Sequence, residues 1–313
     1  DVIVRDVWTL VPEVSYSRSG GNNSYSFGLR DSNFLGSGKT IAIARDSSPD
    51  RTGTVFNYYD PNTGPMRSVI DLNYSNNEDG TTKSASFVRP FFSLQTDWAA
   101  GLSVGDFERT DYHYNAADEI NQYWHQSKNT STFYGRRLVS DDEHVISRWL
   151  VGYSVLEDRF LPSSSLSSTL IPDDRTYAYP WIEYQHLQDG YIKATNIQHI
   201  NRVEDINLGF DFRTRFGYSP AQKKQVSGSY VLEVDYSQGF ALSDSQLLLL
   251  GASANGYYDT NSWQGAKASV NVDYHWNSFA RSQFYASGRF QRSWNMFFDK
   301  TIELGGDEGL RGY

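Results

Sequence analysis

Hydrophobic and polar residues alternate with a period of two along much of this chain, and such alternation predicts β-strands. In residues 207–218, 229–237 and 268–277, aromatic and aliphatic side chains occupy one face of each segment and charged or polar side chains occupy the other. Shorter stretches with the same pattern lie around Phe27, Leu72, Val151 and Phe290. The chain is therefore predicted to be all-β.

The character of the two faces favours a barrel that spans a membrane. Full charges lie in the middle of the polar faces, where a wide water-filled lumen would accept them, and Tyr and Trp end the apolar faces, as in interfacial girdles. Segments of about 9 to 11 residues or more also match the spanning length of a membrane strand. A soluble β-sandwich or carbohydrate-binding protein gives similar alternation and stays open as an alternative.

The connections between the predicted strands alternate in length. Short turns are predicted at 35–39, 60–65, 94–97, 140–143 and 243–245, and longer polar links at 110–121 and 161–175. Short turns on the periplasmic side and long loops outside are typical of bacterial barrels. The prediction is an antiparallel up-and-down barrel with about 15 strands, with its last loop outside. Residues 188–206 do not fit, because a long link stands where a short turn is expected.

Composition narrows the class further. Aromatic residues make up 15% of the 313 residues, and no apolar run approaches the roughly 20 residues of a membrane helix. The net charge of −9 argues against nucleic acid as a partner. The absence of cysteine excludes disulfides and thiolate chemistry. Residues 1–5 show no signal peptide, so an exported protein would begin upstream.

Candidate chemistry in the sequence is weak. The string GSGKT at 36–40 lacks the first glycine of a phosphate loop, since Asn33 occupies that position, and we interpret it as a tight glycine turn. The six histidines have no metal-ligand spacing, and the acidic run 141–143 lacks the alternation of a calcium loop. We expect no enzyme activity, no catalytic residue, no metal site and no cofactor.

Three fragments resemble one family of barrels. Residues 27–39 read FGLRDSNFLGSGK, in which Asn33, Gly36 and Gly38 form the turn motif, and residues 58–62 read YYDPN. The last ten residues read LGGDEGLRGY and hold Arg311, Gly312 and Tyr313 in the positions of an Arg-Gly-aromatic loop motif. In this order the fragments resemble the BamA, TamA and FhaC superfamily of outer-membrane assembly and secretion translocases, whose barrel is the bacterial surface-antigen domain.

The resemblance implies a single transmembrane barrel domain over residues 1–313, truncated at a loop that inserts into the lumen, with the C-terminal strands missing. It implies that the N-terminal periplasmic POTRA modules are absent from this chain. In that family the loop arginine docks on the inner barrel wall, which gives Arg311 the role of a latch. The family carries about eleven strands before this loop, fewer than the 15 predicted here.

The leading hypothesis is a barrel in the bacterial outer membrane that inserts or translocates polypeptides. The implied partners are outer-membrane lipids, an unfolded or secreted polypeptide client, and periplasmic chaperones or lipoproteins. The alternative is a passive outer-membrane pore or an adhesin barrel without translocase activity.

Overall fold

The computed structural model describes residues 8–19, 22–48, 51–115, 118–163, 170–195, 197, 202–222, 227–279 and 282–300. Within them lie 17 strands and one short 3-10 helix, Phe34–Gly36. The strands are β1 Leu10–Ser19, β2 Asn22–Asp31, β3 Thr40–Ser47, β4 Thr52–Thr63, β5 Ser68–Asn77, β6 Gly80–Arg89, β7 Trp98–Asn115, β8 Asp118–Arg137, β9 Val145–Pro162, β10 Arg175–Gln188, β11 Tyr191–Thr195, β12 Val203–Asn207, β13 Asp211–Ser219, β14 Ser229–Ser243, β15 Gln246–Tyr258, β16 Trp263–Phe279 and β17 Ser282–Trp294.

Fifteen of these strands form one antiparallel sheet in chain order, interrupted only where β10 pairs with β13. The short strands β11 and β12 pair with each other in the connection between β10 and β13. In the part of the chain that the structure describes, β1 pairs only with β2 and β17 only with β16, so the sheet is open at both edges. The predicted all-β, incomplete up-and-down barrel of about 15 strands is confirmed.

The sheet is strongly curved, which gives it an inner and an outer face. The rings of Tyr177 on β10 and Tyr257 on β15 stack with their centroids 4.0 Å apart. These strands are three positions apart in the sheet, a separation of about 14 Å if the sheet were flat. The two tyrosines meet because the wall bends around them, and they define the inner face.

The outer face carries large apolar side chains that nothing covers. Val151 and Tyr153 on β9, Ile182 on β10 and Val270 on β16 are each between 44% and 52% exposed. The outward residues named from the sequence on β13 and β14, Phe216 and Tyr230 among them, are exposed as well. These residues form a continuous outward apolar band around the wall.

The inner face carries ion pairs in the middle of the strands. Arg215 Nη2 lies 2.7 Å from Glu183 Oε2, and Arg215 Nη1 lies 3.1 Å from Glu233 Oε2. Arg213 pairs with Asp235 at 2.6 Å on the same face. Glu183 is buried although it is charged, and Arg215 also covers the ring of Trp181 at 4.2 Å. The charged face predicted for residues 207–218 therefore faces inward.

Two predicted connections are wrong. Residues 110–121 do not form a loop, because β7 continues to Asn115 and β8 begins at Asp118. That stretch contains no glycine or proline, and cross-strand contacts on its inner face hold it in strand conformation. The link 188–206 contains the hairpin of β11 and β12 in place of an irregular loop. The described residues include no helix long and apolar enough to cross a bilayer.

Candidate functional site

The strongest concentration of buried charge lies on the inner face, at the end of the sheet where β7, β8 and β9 project beyond the outward apolar band. On β9 the band ends at Val155 and is followed on the same face by Glu157. On the neighbouring strands, Lys128 and Asp106 form an outward ion pair at 3.7 Å at the same level. The buried charges lie at and above this level.

Four neighbouring strands and one later segment contribute the side chains of this cluster. They are Asp111 on β7, His125 on β8, Asp158 on β9, Arg175 on β10 and Asp299, which follows β17. Arg175 and Asp158 are direct cross-strand partners, which fixes their side chains on the same face. We call these five residues the anchor cluster.

The hydrogen bonds of the anchor cluster connect all five residues. His125 Nδ1 lies 2.8 Å from Asp111 Oδ2, and His125 Nε2 lies 3.4 Å from Asp158 Oδ1. Arg175 Nη2 donates to Asp158 Oδ2 at 2.8 Å. The same guanidinium donates to both oxygens of Asp299, at 2.5 and 2.7 Å, in the bidentate geometry that arginine forms with carboxylates.

The cluster is both buried and balanced in charge. The side chains of His125, Asp158 and Arg175 are at most 8% exposed, and that of Asp299 is fully buried. With Arg109, which lies 2.5 Å from Asp111, three basic groups face three carboxylates when His125 is protonated. Burial would lower the pKa of His125, but hydrogen bonds from both ring nitrogens to carboxylates outweigh it and raise that pKa.

The carboxylates respond in the opposite direction. Burial opposes their charge, but hydrogen bonds from His125 and the positive charge of Arg109 lower the pKa of Asp111. Hydrogen bonds from His125 and Arg175 likewise hold the pKa of Asp158 far below its ordinary value. All charged forms in the cluster are thus favoured together.

Aromatic packing fixes the segment that carries Asp299. The ring of Phe298 stacks on His113 of β7 at 4.4 Å, and the guanidinium of Arg175 lies 4.3 Å from the ring of Phe297. Phe297 also approaches Gly265, where an added Cβ would stand 2.5 Å from the ring. Residues 295–300 are therefore bound to the inner wall by one buried ion pair and two aromatic contacts.

A metal ion is the main alternative occupant of this cluster. One ligand atom each from His125, Asp158 and Asp299 lies within 4.8 Å of the others. The guanidinium of Arg175 already bonds to both of these carboxylates and supplies the compensating positive charge. The arrangement consequently favours an anchor between wall and segment over a metal centre.

The stability that the cluster provides depends on pH. The raised pKa of His125 means that its contribution is fully present below the ordinary value of 6.5 and is lost as pH rises through the raised pKa. The lowered pKa values of Asp111 and Asp158 mean that theirs is present above 3.8 and is lost in more acidic solution. We expect residues 295–300 to be held most firmly between these two values.

A spin label at Lys300→Cys would measure this, because the chain contains no native cysteine. Its mobility should be lowest from about pH 4 to 6.5 and should increase in more alkaline solution. In a His125→Gln background the alkaline increase should disappear. A label whose mobility rises equally in both backgrounds would remove His125 from the anchor.

The residues singled out from the sequence divide into two groups. Arg311, Gly312 and Tyr313 lie outside the described residues. Asn33 does organise a tight turn, since its Oδ1 accepts a hydrogen bond from the Gly38 amide at 2.6 Å. Gly36 and Gly38 have φ values of 72° and 70°, which glycine adopts without strain. The interpretation of GSGKT as a glycine turn therefore agrees with the backbone.

Two of the sequence fragments that carried the family resemblance are in contact. Lys39 Nζ, at the end of the turn motif, lies 3.4 Å from Asp60 Oδ2 of the YYDPN fragment. Asp60 is buried, and its other oxygen accepts a hydrogen bond from the amide of Asn62 at 3.1 Å. The fragments form one structural unit at the short-turn end of β2 to β5.

Sequence reasoning missed the anchor cluster. It placed Asp111 in a loop, treated His125 as one of six dispersed histidines, and considered Asp158 only for hydrolysis. The one available signal was the burial expected of charges that share the inward face with aromatic residues, and that signal requires the strand register.

Comparisons with known proteins give limited information. No family model matches the chain, and no curated protein matches it. Among solved structures it is similar to the crystal structure of BamA from Haemophilus ducreyi lacking POTRA domains 1–3, with a TM-score of 0.40 and 11% identity, over 96% of this chain and 69% of that chain. At this TM-score the family stays open, and the fold rests on the strand pairing given above.

Proposed function

We propose that this chain forms the wall of a bacterial outer-membrane barrel that inserts or translocates polypeptides, as members of the BamA, TamA and FhaC superfamily do. The observation that carries the membrane assignment is the inverted placement of side chains. Large apolar residues are exposed on the outer face while ion pairs lie on the inner face. A soluble protein buries the first and exposes the second, whereas a barrel in lipid does the reverse.

The translocase assignment has two supports. The first is the ordered set of motif fragments, two of which meet through Lys39 and Asp60. The second is the segment 295–300, which leads toward the Arg-Gly-Tyr motif and is bound to the inner wall through Asp299. A loop that enters the lumen from this side would begin with such an anchor.

Replacing Arg311 by alanine in the complete protein is expected to lower assembly or secretion of a client by about tenfold or more. A charge-assisted hydrogen bond to a carboxylate is worth about 1.5–3 kcal/mol, and the guanidinium fork would be lost. Arg311→Lys is the matched control, which keeps the charge without the fork and should restore only part of the activity. The measurement is the amount of inserted or secreted client at equal barrel levels.

Three outcomes separate the alternatives. Full activity of Arg311→Ala at normal membrane levels would contradict the latch role. A wild-type barrel that passes small solutes into liposomes but moves no polypeptide would be a passive pore. A wild-type chain that stays in solution without detergent would contradict the membrane assignment itself.

A further inference from the structure

Three arginines gather on the outer face at the short-turn end of β6, β7 and β8. Arg67 lies in the turn between β4 and β5, Arg89 ends β6, and Arg136 lies near the end of β8. They surround two aromatic side chains, Phe92 in the turn between β6 and β7 and Trp98 at the start of β7. We call these five residues the arginine–aromatic patch.

The geometry of the patch brings two positive charges onto one ring. The Cζ atoms of Arg67 and Arg89 lie 4.9 and 5.4 Å from the centroid of Phe92. Arg89 also lies 3.8 Å from the ring of Trp98. Arg136 is the cross-strand partner of Trp98 on β7 and of Trp149 on β9, so it stands between two tryptophans.

Backbone carbonyls hold Arg89 in this position. Its Nε donates to the carbonyl of Met66 at 3.2 Å, and its Nη1 donates to the carbonyl of Trp98. The guanidinium is thereby oriented without losing any of its charge. Arg67 has a φ of 53° in the turn, which also points to a defined local conformation.

No carboxylate neutralises the patch in the described part of the chain. None of the three guanidiniums forms an ion pair there, whereas other arginines of the wall, such as Arg137, Arg213 and Arg215, each pair with an aspartate or glutamate. Positive charges brought together without a counterion create a site for an anion. Guanidinium groups match the planar, multidentate geometry of phosphate.

The surroundings indicate where that phosphate comes from. Trp98, Arg136, Trp149 and Tyr184 form one row across four strands, as in the aromatic girdle of a membrane interface. Directly above Arg89 on the same face, Phe87 pairs with Leu102, and both are nearly half exposed. A phosphate at the patch would place its attached acyl chains along this apolar surface.

We propose that the arginine–aromatic patch binds the phosphate of a phospholipid headgroup in the membrane leaflet at the short-turn end of the barrel. This inference rests on the proposed membrane location. Three uncompensated cations would favour a headgroup with a net negative charge, such as phosphatidylglycerol, over a zwitterionic one.

Native mass spectrometry of the full chain folded in detergent micelles, titrated with phosphatidylglycerol, tests the proposal. The variant Arg67→Gln/Arg136→Gln leaves the backbone-bonded Arg89 in place and should weaken phosphatidylglycerol binding about tenfold or more. Arg45→Gln is the matched control, because Arg45 is an exposed, outward arginine at the opposite end of β3, hydrogen-bonded only to Thr54 in the described structure. It should bind like the wild type.

Two further titrations identify the ligand. Phosphatidylcholine should bind more weakly to the wild type and should lose less affinity in the double variant. Inorganic phosphate at the same concentration should not displace the lipid, and equal displacement would overturn the assignment to a lipid. Heat-modifiable migration of each variant checks that it is folded.

Unchanged phosphatidylglycerol affinity in a folded double variant would overturn this inference alone. A wild-type chain that fails to insert into vesicles would overturn the membrane location together with it. The two failures are therefore distinguishable.

Discussion

Replacing Arg175 by methionine is expected to destabilise the fold by about 3–5 kcal/mol and to release residues 295–300 from the wall. The substitution removes the only guanidinium that contacts both Asp158 and Asp299, and it leaves two buried carboxylates without that partner. Removing one member of a buried ion pair costs this much because the remaining charge is uncompensated. Urea unfolding in micelles would measure the stability, and a label at Lys300→Cys the release.

Arg213→Met is the control for this experiment. Arg213 pairs with Asp235 at 2.6 Å on the same inner face, but both side chains are nearly half exposed. An exposed pair contributes at most about 1 kcal/mol, so this variant should unfold close to the wild type. If Arg175→Met and Arg213→Met cost the same, residues 295–300 are not anchored through Arg175.

Replacing Val270 by arginine is expected to destabilise the barrel in a bilayer by about 2–4 kcal/mol. Val270 faces outward near the middle of β16, between Trp263 and Trp276, and is 46% exposed. A cation at the midplane of the lipid face has this cost, because it leaves water for hydrocarbon. Reversible urea unfolding from vesicles is the measurement.

Asn271→Arg is the matched control, since the adjacent residue on a strand faces the opposite side. Asn271 is on the inner face opposite Gly251, where a charge reaches the polar interior. It should change stability by well under half as much as Val270→Arg. The reverse ranking, with Asn271→Arg the more damaging, would indicate a soluble sheet whose inner face is a dry core.

The strands could be predicted from the sequence because their signal is local. In β13, β14 and β16 each pair of neighbouring residues already shows which face is apolar, and that pattern is set by the environment of the wall. The tight turn at Asn33 was equally visible, since glycines at fixed positions and one Asn side chain determine it. Such features depend on residues within a few positions of each other.

The anchor cluster could not be predicted in this way. Arg175 and Asp299 are 124 positions apart, and they meet because curvature brings the segment after β17 onto β10. Asp111 and His125 meet through the register of a hairpin that the sequence suggested was a loop. The polar composition of residues 110–121 resembles a loop, but the inner face of a charged lumen has the same composition. Local pattern does not separate these two cases.

The alternation of lipid and water along β16 is the most direct measure of the central claim. Single cysteines at Val270, Asn271, Val272 and Asp273 would each carry a spin label in the barrel reconstituted in vesicles, with no native cysteine to interfere. The account predicts that labels at 270 and 272 collide with oxygen dissolved in lipid, while those at 271 and 273 collide with a water-soluble nickel reagent. Labels at 270 and 272 that meet only the aqueous reagent would contradict it.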